Sequence, residues 1–411
     1  MRKGRAIVVH AITDSMSTVL IRGQLAWLKG NGFDPALVCS PGPKLDNIAK
    51  EEDIPVFPIE MTRVISPLVD LRSFAHIWRV LRRIRPVICN AGTPKAGLLV
   101  GLAAWLTRVP CRIYTLRGLR LETAKGLKRV ILTISERLSC LAAHRVVCVS
   151  ASLQERAIDL KLVPRHKAIV LGAGSSNGVD SQRFAPTGER AAAASELRAT
   201  LGIGREVPVI GFAGRLTRDK GIPELVAAFE AVCQKVPEAA LLLVGDYEAG
   251  DPVAVDLRDA IEADPHIRRV AFNSKIDLYY PVMDLFVLPT HREGFPNTVL
   301  EAQAFGLPVV TTAATGAMDS VEEGATGLLV PVGDSDKLAE AIVSLLSDPR
   351  RMQAMGRRGR DRVLRSFRNE IVWEALASLY RAMLEERGYA PPAPATVGET
   401  EMETPRCAPV P

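Results

Sequence analysis

In Leu285-Phe286-Val287-Leu288-Pro289-Thr290-His291-Arg292-Glu293-Gly294-Phe295-Pro296-Asn297-Thr298-Val299-Leu300-Glu301, three kinds of local structure follow one another. The opening apolar run is short and ends at a proline, which predicts a buried strand. Residues 289–292 are its exit, and Gly294 and Pro296 turn the chain. Asn297-Thr298 then opens a helix that carries Glu301 one turn in. Strand, turn and helix in succession make one unit of a parallel sheet.

The same unit recurs on both sides. Downstream and upstream of it, strands are predicted over 208–213, 240–244, 269–272, 308–312 and 327–330. An earlier series covers 6–10, 35–40, 56–59, 87–90, 112–116 and 145–149, with helix-period stretches such as 19–30 and 73–84 between. Between the two series, Gly172-Ala173-Gly174-Ser175-Ser176-Asn177-Gly178 is rich in turn residues and reads as an interdomain linker. The expected fold class is α/β: two Rossmann-like, doubly wound parallel-sheet domains facing a cleft. The expected division is 1–178 for an acceptor domain and 179–368 for a donor domain. A helix over 369–388, with apolar Ile371, Ala375, Leu379 and Met383 at helical spacing, is expected to cross back to the first domain. The remainder, 389–411, is rich in Pro, Ala, Thr and Glu and is expected to be disordered.

With 411 residues, 47% apolar and 24% charged, the chain has the composition of a soluble protein of two or three domains. The longest apolar stretch, 96–106, falls well short of the roughly 20 residues that span a bilayer. Residues 1–5 run straight into a strand, so no signal peptide is expected. Seven scattered cysteines with no CxxC pair suit reduced thiols in the cytoplasm. The net charge of +6 is concentrated in two clusters. One holds Arg72, Arg79, Arg82, Arg83 and Arg85; the other runs from Arg108 to Arg129. Phe74, Trp78, Leu81, Leu119 and Leu127 are interleaved with them. Nucleic acid, an anionic membrane and plain solvent all suit such a surface.

The candidate chemistry lies at two strand exits. Gly214-Arg215 and Lys220-Gly221 follow the strand at 208–213 and precede a helix with proline in its first turn. Such a turn offers free backbone N–H groups and the positive end of the helix dipole. Arg215 adds a planar fork and Lys220 a compact charge, both suited to phosphate. Cations fixed where a leaving diphosphate gains charge lower its barrier without a metal. At the second exit stand Glu293 and Glu301, and carboxylates accept the paired hydroxyls of a sugar or ribose. The plainer reading of Glu301 is favourable charge near a helix N-terminus.

These residues resemble the family-4 retaining glycosyltransferases of the GT-B fold. The matching pieces are Gly214-Arg215…Lys220-Gly221, Glu293…Glu301, Gly306-Leu307-Pro308-Val309-Val310 and Gly324-Ala325-Thr326-Gly327-Leu328-Leu329-Val330. The resemblance implies that Arg215 and Lys220 hold the donor diphosphate and that Glu293 meets the donor sugar at the reacting centre. It implies that Glu301 holds the ribose and that Phe295, Pro296, Asn297 and Thr298 give backbone contacts to sugar and phosphate. It also implies transfer of a hexosyl or N-acetylhexosaminyl group with retention, no metal and no cofactor besides the nucleotide-sugar, UDP being the commoner base. Arg22-Gly23-Gln24-Leu25, Thr93-Pro94-Lys95-Ala96-Gly97, Tyr114-Thr115-Leu116-Arg117-Gly118-Leu119-Arg120 and 172–179 look like the subset that builds capsule, O-antigen or other glycans on polyprenyl-diphosphate lipids. That subset implies a lipid-linked saccharide acceptor, an anionic membrane partner and no nucleic acid, with the protein peripheral at the inner face of the cell membrane. Arg22, Lys95 and Arg117 are the residues it would turn to the acceptor or a phosphate.

The chain departs from that pattern in places. Thr13-Asp14-Ser15-Met16-Ser17-Thr18 stands where relatives carry a glycine-rich turn, Arg117 where many carry a histidine, and Asp319 where a glutamate is common. Asp334-Ser335-Asp336 spells a metal-binding pattern but precedes a helix, so it reads as an N-cap. His10 faces the expected cleft but suits a core position, and His291 lies two residues before Glu293. Three rivals remain at this stage. A nucleotide-sugar epimerase would use the same cleft without an acceptor. A glycosidase also uses two carboxylates but has no need of Arg215 and Lys220. A non-catalytic nucleotide-sugar scaffold at the membrane would bind without turnover.

Overall fold

The computed structural model describes residues 6–62, 66–273 and 275–393. Residues 1–5, on which the expectation of no leader rests, and the tail from 394 onward lie outside them. The chain forms two parallel sheets. The first has seven strands: β1 (Ala6–Ala11), β2 (Phe33–Cys39), β3 (Val56–Pro58), β4 (Ile88–Ala91), β5 (Cys111–Leu116), β6 (Arg145–Cys148) and β7 (Ala168–Val170). The second has six: β8 (Val209–Ala213), β9 (Ala240–Val244), β10 (Ile267–Val270), β11 (Leu285–Leu288), β12 (Val309–Thr312) and β13 (Gly327–Val330). In the first domain the helices are α1 (Gln24–Gly30), α2 (Leu45–Glu51), α3 (Pro67–Ile84), α4 (Pro94–Leu106), α5 (Gly126–Ala142) and α6 (Ala151–Asp159). The second domain carries α7 (Gly188–Thr200), α8 (Ile222–Cys233), α9 (Val255–Ala263), α10 (Asn297–Ala304), α11 (Ser335–Leu346) and α12 (Pro349–Ser366), and a last helix, α13 (Asn369–Glu385), follows.

Strands covered on both faces need apolar residues at every position, and β8, β9, β11 and β12 are buried throughout. Successive residues of β1 serve opposite cores. Val8 packs with Leu25, Leu28 and Tyr380, whereas Val9 packs with Ile77, Leu81 and Val100. This is the GT-B architecture expected from the sequence.

The strand orders are β3-β2-β1-β4-β5-β6-β7 and β10-β9-β8-β11-β12-β13. Winding reverses between β1 and β4 and again between β8 and β11. In open parallel sheets the crevice at such a reversal, outside the carboxyl ends of the strands, is where ligands bind. Both candidate strand exits, after β8 and after β11, open at the reversal of the second sheet.

Several elements differ from expectation. The short edge strand β7 has too few residues to leave a pattern, and β10 begins two residues before the predicted 269–272. The helix expected over 19–30 is interrupted. A 3-10 turn over Ser15–Ile21, capped by Asp14, gives way to α1. The cause is a distant carboxylate: Glu52 accepts the N–H groups of Gly23, Leu25 and Ala26 at 2.7–3.0 Å and so caps a new helix. The stretch 73–84 is the latter part of a longer α3 that starts at Pro67. The cysteines from Cys39 to Cys148 are buried free thiols and Cys233 is half-buried, while Cys407 lies outside the described residues. Among the described residues, no helix is long and apolar enough to cross a membrane.

The chain passes between the domains twice, side by side. Val179 accepts the N–H of Asn369 and donates to Phe367, forming a bridge with Arg368. α13 then lies on the first domain, where Leu376, Ala377, Tyr380, Met383 and Leu384 join its core. Asn177 fixes this junction: its side-chain oxygen accepts from Trp373 Nε1 at 2.7 Å, and its amide donates to Arg22 O at 2.9 Å.

Candidate active site

The strand exits converge as charges. Lys220 Nζ donates to Glu293 Oε1, and both side chains are largely covered, 16% and 14% exposed. Arg215 is half-exposed and pairs with Glu248 across from β9. Asp219 sits among them. It accepts from Thr217 Oγ1 at 2.6 Å and from Arg292 Nη2 at 2.8 Å, with Arg215 at 3.9 Å. Burial works to raise the Asp219 carboxyl, but the Thr217 hydroxyl and the charges of Arg292, Lys220 and Arg215 outweigh it and hold the group below its ordinary value. Three cations and three carboxylates thus balance one another at the reversal of the second sheet.

Local backbone explains the placement. Gly221 has φ +75°, and a Cβ there would meet Pro289 O at 2.0 Å, so only glycine lets the Lys220 turn lie against the β11 exit. Gly294 performs the same service between domains. A Cβ on it would stand 2.2 Å from Arg117 O. The Glu293 turn therefore touches the Arg117-Gly118 turn directly, and the cleft between the domains is narrow at this point.

Glu301 lies on α10, apart from the ion cluster. It is partly covered and accepts a hydrogen bond from Tyr280 Oη at 2.7 Å. Burial pushes its carboxyl up to about 7, against the lowering effect of that hydroxyl and of Arg183. Asn297, the first residue of α10, has a buried side-chain oxygen with no hydrogen-bond partner, an acceptor that suits a ligand hydroxyl. Pro296 stands at the N-cap position without a side-chain capping bond, and Thr298 follows in the first turn. The Phe295 side chain turns away from this chemistry: it is buried, with its ring 5.3 Å from that of Phe367 at the domain crossing. Gly214 places its carbonyl against Gly245 and donates to Val244 O.

The acceptor-side candidates take separate positions. Arg22 is exposed beside the break before α1. Lys95 is held by both oxygens of Asp70 at 2.7 Å. Arg117 turns inward over Gly92; its Nη1 reaches Leu20 O at 3.2 Å, and its buried Nε has no partner. It lines a small cavity with Gln24, Asn90, Thr115 and Ser176. His10, at the end of β1, is a core residue, as its sequence position suited. Its Nε2 shares a hydrogen bond with Tyr380 Oη at 3.0 Å, and burial with the nearby Arg117 charge drives its imidazole down to about 3. Asp319 takes a role between domains, accepting from Ser152 N at 3.2 Å and from the Ser152 hydroxyl. Asp334 caps α11, accepting from Lys337 N at 2.9 Å.

Sequence reading missed Glu248, Arg292 and Tyr280. Glu248 and Tyr280 belong to turns whose neighbours in space are distant in sequence. Arg292 stood inside the quoted stretch, and its reach back to Asp219 left no sequence signal. His291 bonds Glu224 through Nε2 at 2.8 Å, which raises its imidazole, so it serves the start of α8 rather than Glu293.

The family model described as "Glycosyl transferases group 1" matches residues 194–362, and "Glycosyl transferase 4-like domain" matches 17–174. A Staphylococcus aureus protein named capsular polysaccharide biosynthesis glycosyltransferase CapM is 36% identical over 92% of this chain and 98% of its own length. The chain belongs to the family-4 glycosyltransferases. An Escherichia coli relative of this glycosyltransferase, named UDP-Gal:alpha-D-GlcNAc-diphosphoundecaprenol alpha-1,3-galactosyltransferase, is 25% identical over 83% of this chain and 87% of its own. Among solved structures, Anabaena Alr3699/HepE in complex with UDP-glucose superposes with a TM-score of 0.75, at 20% identity, over 91% of this chain and 99% of its own. At that identity the likeness speaks for the GT-B fold alone.

Proposed function

We propose that this glycosyltransferase moves a hexosyl or N-acetylhexosaminyl group from a UDP-sugar to a polyprenyl-diphosphate-linked saccharide. The transfer retains the donor's configuration, needs no metal and serves capsule, O-antigen or exopolysaccharide synthesis at the inner face of the cell membrane. The observation that carries this reading is the pairing of Lys220 with Glu293, a cation and a carboxylate brought together at the sheet reversal against the Gly118 turn of the first domain. Lys220 and Arg215 take the diphosphate and stabilise its growing charge as the glycosidic bond breaks. Glu293, released from Lys220 by the phosphate, accepts hydroxyls of the donor sugar. Glu301 accepts the ribose diol, and the orphaned oxygen of Asn297 takes a further hydroxyl. The donor phosphate takes the acceptor's proton. Contact between the two domains excludes water that would otherwise hydrolyse the donor. The name of the Escherichia relative supports the acceptor class and UDP, and that of the Staphylococcus relative supports capsule synthesis.

The test uses purified protein, labelled UDP- and GDP-sugars and polyprenyl-diphosphate saccharides, all in EDTA. Label entering the organic phase from one donor, with the product's anomeric configuration equal to the donor's, is the expected result. Label confined to water for every donor would sink the lipid acceptor. Release of an epimerised sugar from donor alone would establish the epimerase instead, and transfer that stops in EDTA would overturn metal independence.

A further inference from the structure

The outer surface of the first domain carries an apolar seam that the fold leaves uncovered. α3 and α4 pack over one face of the first sheet, and α5 lies beside α4. Along α5, Leu127, Val130, Ile131, Ile134, Leu138 and Leu141 are exposed, Leu127 and Leu141 by more than 70%. They recur at three- and four-residue steps, which sets them on one side of the helix. The opposite side, with Glu136, Ser139 and Cys140, faces the protein. The ordinary pattern of a surface helix, apolar inward and polar outward, is thus inverted. Trp105 and Leu106, exposed at the end of the neighbouring α4, extend the seam.

The charge around the seam has one sign. Lys125, Lys128, Arg129 and Arg137 are exposed along α5. On α3, Arg72, Arg79, Arg82 and Arg83 are exposed as well. The three helices hold two acids, and neither opposes this charge. Asp70 is occupied by Lys95, and Glu136 is buried, accepting from Tyr114 Oη at 2.7 Å. The sequence pattern had placed the apolar component elsewhere. Leu81 and Leu119 are core residues and Phe74 and Trp78 are half-buried, so of those five only Leu127 belongs to the seam.

We propose that the α5 seam docks on an anionic lipid bilayer, with the helix lying in the headgroup region and its aliphatic side chains below it. Apolar side chains framed by lysine and arginine are the chemistry of interfacial helices. A second copy of the chain would bring two positive faces together, and nucleic acid would set aliphatic groups against phosphates. The inference refines the membrane location proposed above and rests on that reading for its purpose, but lipid binding requires neither donor nor acceptor.

The experiment is flotation of the full chain with vesicles of phosphatidylcholine alone or mixed with phosphatidylglycerol. Expected is recovery with the anionic vesicles, weakened by salt. K128Q/R129Q should weaken binding about fivefold per charge removed. I131Q/I134Q should weaken it at least about tenfold through lost apolar burial. UDP affinity, unchanged in both variants, would show that they fold. Equal recovery with neutral and anionic vesicles, or wild-type flotation of both variants, would overturn the docking face. So would a dimer in sedimentation that I131Q/I134Q dissociates while no lipid binds. Flotation without sugar transfer would leave the docking face standing and remove the acceptor instead.

Discussion

At the scale of single residues, the candidate site is a set of charges that satisfy one another. Glu293 and Lys220 are each the other's counterion. Glu293→Gln is expected to lower kcat at least about a hundredfold while UDP binds as well as before or better, since Lys220 loses its internal partner. Lys220→Ala is expected to lower kcat by a similar factor and weaken UDP as well. Calorimetric UDP binding beside steady-state rates separates the two, and unchanged turnover in E293Q would remove Glu293 from the reaction. Glu301 titrates near 7 in the free protein. Only its ionised form accepts two ribose hydroxyls, so UDP affinity should rise severalfold between pH 6 and pH 8. Glu301→Gln should flatten that part of the profile, and the difference between the proteins isolates the carboxyl from the titration of UDP itself.

At the scale of elements, α5 is held to the sheet by a buried polar pair. Burial pushes Glu136 up to about 7, its bond from Tyr114 only partly opposing this. Its folded-state value lies above its unfolded one, so the folded protein binds the extra proton. That favourable contribution is complete below about pH 4.5 and is lost as pH rises towards 7. Glu136→Gln keeps an oxygen for Tyr114 and has no charge to bury. Its thermal stability should exceed that of the wild type by about 1–3 kcal/mol at pH 8 and match it at about pH 4. Equal stability of the two proteins at pH 8 would show that Glu136 does not bear this cost. Element signals of this kind were unevenly legible in the sequence. In the second sheet β10, with Arg268 and Arg269 inside it, was placed two residues late, while the other strands could be read there as short, largely apolar runs between turn residues. The break before α1 could not, because Glu52 makes it from a distance.

For the molecule as a whole, the two domains meet through polar contacts that belong to neither alone. Asp319 holds Ser152 across the cleft, Glu122 accepts from Thr315 Oγ1 at 3.0 Å, and Arg292 donates to Thr123 at 3.0 Å. The two chain crossings between them pair side by side at Val179 and Arg368. Asp319→Ala should lower kcat/KM about tenfold, the loss of one hydrogen-bonded charge, with UDP affinity nearly unchanged because the donor residues lie within the second domain. Solution scattering with UDP bound should show a larger radius of gyration in the variant. An identical radius and identical kinetics would mean that the contact does not set closure.

The sequence alone determined the fold class, and it named two strand exits, with Arg215, Lys220, Glu293 and Glu301, as the candidate site. Those signals are local: apolar runs of strand length, glycine and proline at turns, and charged residues at fixed offsets from them. Tertiary structure decided which charge answers which. It paired Lys220 with Glu293, set Asp219 among three cations, drew His10 into the core beneath Tyr380, turned Arg117 inward and gave Asp319 to the domain contact. It also moved the apolar part of the basic surface onto α5, since exposure depends on which side of a helix the sheet occupies. Pairing and burial arise where segments far apart in the chain meet, and no local pattern records those meetings.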